Sequence, residues 1–211
     1  IDLKQTLIGL DQAYTFASET AKKGGTVLFV GTKKQAQEPI ADAATRSGMP
    51  FVIARWLGGM LTTFQTIRSR VARMEELEAM DTDGRMASLP KKEQILLHKE
   101  LAKLQANLNG IRNMKRTPDA VFVLDTNREG TATQECKRLG NPVIGTHDTN
   151  CDPDDVEFGI PANDDAIRSV RLLADFVADA VIAGTGAPVT AAEMEAAPAE
   201  AAPAEEAPAA E

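Results

Sequence analysis

Apolar and polar positions follow two rhythms along this chain, and the change between them organises it. From Asp2 to Lys23 the residues Leu3, Leu7, Leu10, Tyr14 and Ala17 fall three or four apart. That spacing predicts an opening helix packed through this stripe, and Gly24-Gly25 ends it. "TVLFVG" then forms a short unbroken apolar run closed by Gly31, as expected of a strand covered on both faces. "TKKQAQEPIADAATRSG" reads as a helix ended by Gly48, and "PFVIAR" as a second strand that delivers Trp56.

From Met60 the period lengthens. Met60, Phe64, Ile67, Val71 and Met74 step by four and three, and so do Leu97, Leu101, Leu104, Leu108 and Ile111. The breaker-rich "DTDGRMASLP" lies between the two stripes. Two such stripes predict an antiparallel helical hairpin with a coiled-coil seam over 60–116. After Pro118 the shorter rhythm returns: "AVFVLD" as strand, "REGTATQECKRLG" as helix, "PVIGTHD" and "FGIP" as strands. "NDDAIRSVRLLADFVADAVIAG" closes the sequence of elements, capped by Asn163 or Asp164, with Ile167, Val170, Leu173 and Val177 as its apolar face. Alternating strands and helices predict an α/β body over 1–59 and 117–186, a parallel sheet with helices on both faces, into which the hairpin is inserted after the second strand.

Composition changes the picture at the end of the chain. Residues 187–211 hold six glutamates, no basic residue and repeated Ala-Pro. Such a segment buries too little apolar surface to offset its ordering entropy, so a disordered acidic tail is expected. The net charge of −8 hides a division. Residues 1–59 carry seven basic and five acidic side chains, and 60–116 carry eleven against seven. Residues 117–186 carry five against thirteen. The first half is therefore the one suited to a polyanion. No apolar run is long enough to span a membrane. Cys136 and Cys151 form no C-x-x-C and imply no disulfide framework, which suits a reducing cytoplasm. The chain opens on isoleucine, so a natural N-terminal segment is expected to precede it.

Two kinds of chemistry compete for the polar residues. In open parallel sheets ligands bind beyond the carboxyl ends of the strands. "GTKK" at 31–34, "DTN" at 125–127 and "DTN" at 148–150 stand at three such ends. Lys33, Asp125 and Asp148 could converge there in an α/β enzyme acting on a phosphorylated small molecule. Against this, neither phosphate-binding glycine fingerprint is present, and Asp, Thr and Asn after strands are ordinary turn and cap residues. His147, Asp148 and Cys151 match no zinc spacing, so no metal or other cofactor is expected. The second chemistry is electrostatic. Arg68, Arg70, Arg73, Lys91, Lys92, Lys99, Lys103 and Arg112 lie off the hairpin seam. Lys33, Lys34, Arg55, Lys115 and Arg116 gather around its base. Cations so clustered suit the phosphates of RNA, and Trp56 offers a ring that either stacks on a base or anchors the hairpin from beneath, with Gly58-Gly59 allowing close approach. The anchor reading is expected for the indole, and the RNA role for the cations around it.

"VLFVGTKKQAQEPIADAATRSGMPFVIARWLGGMLTTFQTI" and "NLNGIRNMKRTPDAVFVLDTNREGTATQECKRLGNPVIGTHDTNCDPDDVEFGIPANDDAIRSVRLL" resemble the bacterial small-subunit ribosomal protein two (S-two) family from Ile1 to Gly184. The resemblance implies a flavodoxin-like parallel sheet with a protruding coiled-coil hairpin. It implies a non-enzymatic, cytoplasmic constituent of the small ribosomal subunit, bound to ribosomal RNA between head and body and helping to dock small-subunit protein one, without a membrane and without forming a homo-oligomer. By position, Lys33, Lys34, Arg55, Trp56 and the outward hairpin cations become the expected RNA-facing set. The family's N-terminal segment, with its Gly-His and aromatic motif, is not found before Ile1, and the Ala-Pro-Glu tail is no part of the family pattern.

Overall fold

The computed structural model describes residues 1–186; the tail expected over 187–211 lies outside them. The order of elements is α1 (Leu3–Lys22), β1 (Val27–Val30), α2 (Lys34–Ser47), β2 (Phe51–Val52), α3 (Phe64–Thr82), α4 (Lys91–Leu108), β3 (Ala120–Leu124), α5 (Gly130–Leu139), β4 (Val143–His147), β5 (Phe158–Pro161) and α6 (Ile167–Thr185). The five strands form one sheet in the order β2-β1-β3-β4-β5, and every neighbouring pair is parallel. This is the flavodoxin-like order, in which the chain reverses direction across the sheet between β1 and β3. No described helix is long and apolar enough to cross a membrane.

The alternation of strand side chains divides the core in two. Val27, Phe29, Ala120, Phe122, Leu124, Ile144 and Ile160 point to one face, covered by α1, α2 and α6. Leu28, Val30, Val121, Val123 and Val143 point to the other, where they meet Ala132 and Cys136 of α5, Trp56, Met60 and the inner residues of α3. Burial on both faces is why these strands read as unbroken apolar runs.

The longer rhythm corresponds to the helices α3 and α4. Ile67, Val71, Met74 and Leu77 of α3 are buried, as are Leu101 and Leu108 of α4, with Leu97 and Leu104 half-buried beside them. These residues join Met86 of the connection in the same cluster as the second sheet face. Gln105 of α4 donates to Glu78 of α3 at 2.7 Å, tying the pair on its polar side.

Three expectations are corrected. The first two leucines of the α1 stripe face outward, Leu3 73% and Leu7 66% exposed, while Leu10 and Tyr14 are half-buried against the core. The fully buried face is Gly9, Ala13, Ala17 and Ala21. The cause is proximity, because α1 lies close against α6 and β5, and a Cβ on Gly9 would stand 2.5 Å from the Gly159 carbonyl oxygen. Only small residues fit such a contact. At α6, Ile167 is exposed and Ala166 occupies the cap position without a side-chain bond. Asn163 instead accepts from the backbone N–H groups of Asp165 and Ala166, while Asp164 turns inward. Finally, β2 is two residues long, so the segment from Ile53 to Thr63 reaches α3 as a turn rather than a strand.

Candidate nucleic-acid interface

The segment around Trp56 is shaped by one carboxylate. Glu135, on the inner side of α5 and 6% exposed, accepts at Oε1 from the Trp56 indole (3.1 Å) and the Gly59 N–H (2.7 Å). Its Oε2 accepts from the N–H groups of Leu61 (3.0 Å) and Thr62 (3.2 Å) and from the Thr62 hydroxyl (3.3 Å). Burial opposes its ionisation, but the donors from Leu61, Trp56, Gly59 and Thr62 outweigh burial and hold its pKa below the ordinary glutamate value. Gly59 has φ +86°, a left-handed conformation that a side chain would strain. Gly58 has open space where a Cβ would stand, so the close approach expected there does not occur. Trp56 is 8% exposed. Its ring packs with Met60 and Ile67 in the core beneath α3, the arrangement expected of an anchor.

The strand-end residues do converge, with a consequence that sequence alone left open. Lys33 Nζ lies 2.9 Å from Asp125, 3.1 Å from Asp164 and 2.8 Å from Asp165. Burial would lower the ammonium pKa, but bonds to these three carboxylates raise it well above the ordinary lysine value. Asp125 adopts φ +66°, and its other carboxylate oxygen accepts from the Arg128 N–H. Beside it Thr32 donates to the buried Glu129 and accepts from Arg128 Nε. The crevice where a doubly wound sheet would bind a phosphate is thus occupied by an internal ion-pair network. Three carboxylates about one ammonium leave an excess of negative charge, which repels phosphate. The Lys33 side chain is accordingly engaged within the protein and 17% exposed. Asp148 joins Asp164 and Asp165 in the group of acidic side chains brought within 4.8 Å of one another. His147 and Cys151 stand outside that group, and the Lys33 ammonium already supplies its positive charge.

The remaining candidate cations separate into two kinds. Arg68 donates to the Met114 carbonyl at 3.1 Å, Arg73 meets Glu76 at 2.7 Å and Glu100 at 3.8 Å, Arg112 pairs with Glu78, and Arg116 meets Asp119 at 2.9 Å. These four tie the helix pair and its base together. Lys34, Arg55, Arg70, Lys91, Lys92, Lys99, Lys103 and Lys115 are exposed and form no ion pair among the described residues. Five of them lie on α3 and α4, and Arg55 and Lys115 flank the pair's base.

That base borders a cleft of about 860 Å³ at the amino ends of the strands, lined by Gly25, Gly48, Phe51, Asn109, Lys115 and Arg116 among others. Lys22 and Lys23 immediately precede its glycine wall and are exposed. A lysine pair at a helix end is ordinarily explained by the helix dipole, so the sequence alone does not single these two out. Glu135, Asp164 and Asp165 were missed for another reason: their partners are remote in sequence, so no local spacing marks them.

Comparison with known proteins shows the family. The ribosomal protein S2 family model matches residues 1–184. The small ribosomal subunit protein uS2 of Micrococcus luteus is 60% identical over 185 residues, which make up 87% of this chain and 65% of that protein. Those of Leifsonia xyli subsp. xyli and Mycobacteroides abscessus are 55% and 54% identical, over 87% and 89% of this chain and 62% and 68% of theirs. The chain spans about two thirds of the length of the curated relatives it matches. A flavodoxin-like sheet whose ligand crevice is filled by its own side chains, together with a family match over nearly every described residue, supports one conclusion: the chain belongs to the ribosomal protein S2 family.

Proposed function

We propose that this protein is a structural constituent of the small ribosomal subunit in the bacterial cytoplasm, held there by ribosomal RNA between head and body. The observation that carries this reading is the set of exposed cations on and around the α3–α4 pair that form no ion pair among the described residues, in a chain whose relatives are small-subunit proteins. In this reading 60–116 form an arm projecting from an α/β body of 1–59 and 117–186. Lys34, Arg55, Arg70, Lys91, Lys92, Lys99, Lys103 and Lys115 contact phosphates, with Lys22 and Lys23 extending the surface along the cleft. Arg68, on the Met114 carbonyl, and Arg73, Arg112 and Arg116, on carboxylates, support the arm, and the last three contact RNA only with the charge that those carboxylates leave. Such contacts release counterions, so affinity falls steeply with salt.

Residues 117–186 carry five basic and thirteen acidic side chains, a balance unsuited to a polyanion. Asp152, Asp154 and Glu157 are exposed, and this part of the chain is the one suited to neighbouring proteins, small-subunit protein one among them. The test is sedimentation of the tagged chain from a gently prepared lysate. Migration with small subunits, stripped progressively by rising salt, is the expected result. A chain that stays at the top of the gradient at low salt overturns the reading.

A further inference from the structure

Between α3 and α4, near the base of the pair, lies a groove of about 300 Å³ that the phosphate-contact reading does not use. Its floor is apolar, made by Leu57, Ile67, Leu104 and Leu108. Its rim carries Arg70 and Lys103, one from each helix, both exposed and without an ion pair among the described residues. Asn107 also lines it, and its amide nitrogen donates to the Lys103 carbonyl at 2.7 Å. Its side-chain carbonyl oxygen accepts no hydrogen bond among the described residues. Glu100 on the rim is turned toward Arg73, at 3.8 Å.

We propose that this groove takes an unpaired RNA base, laid on the apolar floor while Arg70 and Lys103 hold its flanking phosphates. The inference rests on the RNA-binding reading above and adds to it a class of nucleotide. An apolar slot flanked by two free cations complements a ligand that is planar and apolar in its centre and anionic at both sides, which describes a nucleotide taken out of a helix. A paired base hides its faces in the stack, so the groove selects a loop, a bulge or a single strand. The Asn107 carbonyl favours bases that present an exocyclic amine there. An acidic peptide with a central apolar side chain is the alternative occupant, and it is less well matched because the rest of this face carries further phosphate-suited cations, Lys99 among them.

The probe is a short single-stranded RNA of mixed sequence carrying one 2-aminopurine, bound to the full chain and compared with the same RNA as a duplex. The expected result is a saturable fluorescence change on the single strand and none on the duplex. Asn107→Phe, which fills the groove with apolar volume, should abolish that change and weaken single-strand binding roughly tenfold, within the range of one base contact, without altering the salt dependence. Arg70→Ala with Lys103→Ala should weaken binding and reduce the log–log salt slope by about 1.4, the value for two phosphates on a single strand. Both alanines stand at exposed positions, so this variant remains informative even where Asn107→Phe perturbs folding. Wild-type binding with unchanged 2-aminopurine fluorescence overturns the groove inference and leaves the slot to a protein side chain. Equal affinity and equal fluorescence for wild type and Asn107→Phe also overturn it. A wild-type chain that binds neither RNA form overturns the RNA reading itself, a distinct outcome.

Discussion

Glu135 determines how the chain passes from β2 into α3, because its two oxygens collect five donors from Trp56, Gly59, Leu61 and Thr62. Removing it leaves buried N–H groups without an acceptor. Glu135→Ala should therefore cost about 3 kcal/mol, as measured by urea unfolding, and shift Trp56 emission to the red as the indole loosens. The pH dependence follows from the sign of its shift. A carboxylate whose folded pKa is depressed contributes stability that is complete above the unfolded value of about 4.3 and lost as pH falls through the folded value. The stability gap between wild type and Glu135→Gln should thus be full near neutrality and shrink below about pH 4. A constant gap down to the acid transition would show that the charge of Glu135 is not what matters. The burial of Trp56 was legible from the sequence; the residue that holds it was not, since Glu135 is 79 positions away and sits in an ordinary amphipathic helix. Lys33 shows the same limit. Its position at a strand end was readable, but only the structure shows Asp164 and Asp165 folding back onto it.

At the scale of elements, periodicity predicted every long helix and every strand, and failed where size rather than hydrophobicity decides orientation. The α3–α4 seam was readable because Ile67, Val71, Met74, Leu101 and Leu108 are both apolar and large, and such residues are buried wherever a partner helix offers a matching stripe. In α1 the larger residues Leu3 and Leu7 lost to Gly9, Ala13, Ala17 and Ala21, because the space between α6 and β5 admits no branched side chain on that face. This orientation has a direct test. Gly9→Val forces Cβ against the Gly159 carbonyl and should destabilise the isolated chain by about 2 kcal/mol, as overpacking does. Leu7→Ser, on the outward stripe, should change stability by less than about 0.5 kcal/mol. Thermal unfolding followed by circular dichroism measures both, and the opposite ranking would mean that the leucine stripe packs inward after all.

At the scale of the whole molecule, the division of charge along the sequence becomes a division of roles. The parallel sheet provides a base, its crevice closed by the Lys33 network, and the α3–α4 pair carries five exposed cations with no ion pair among the described residues, Arg70, Lys91, Lys92, Lys99 and Lys103. The charge bias of 60–116 was readable as composition; which cations are free was not, because Arg68, Arg73 and Arg112 are indistinguishable from Arg70 until their acceptors are placed. The most direct test of the account therefore uses only the free ones. Arg70, Lys99 and Lys103 are changed together to Glu, and binding of the full chain to small subunits lacking their own copy is measured across a salt series. The account predicts an unchanged unfolding midpoint, binding weakened at least tenfold at low salt, and a shallower salt dependence, since three phosphate contacts are lost. Wild-type occupancy at both low and high salt would contradict it and remove the α3–α4 face from the RNA interface.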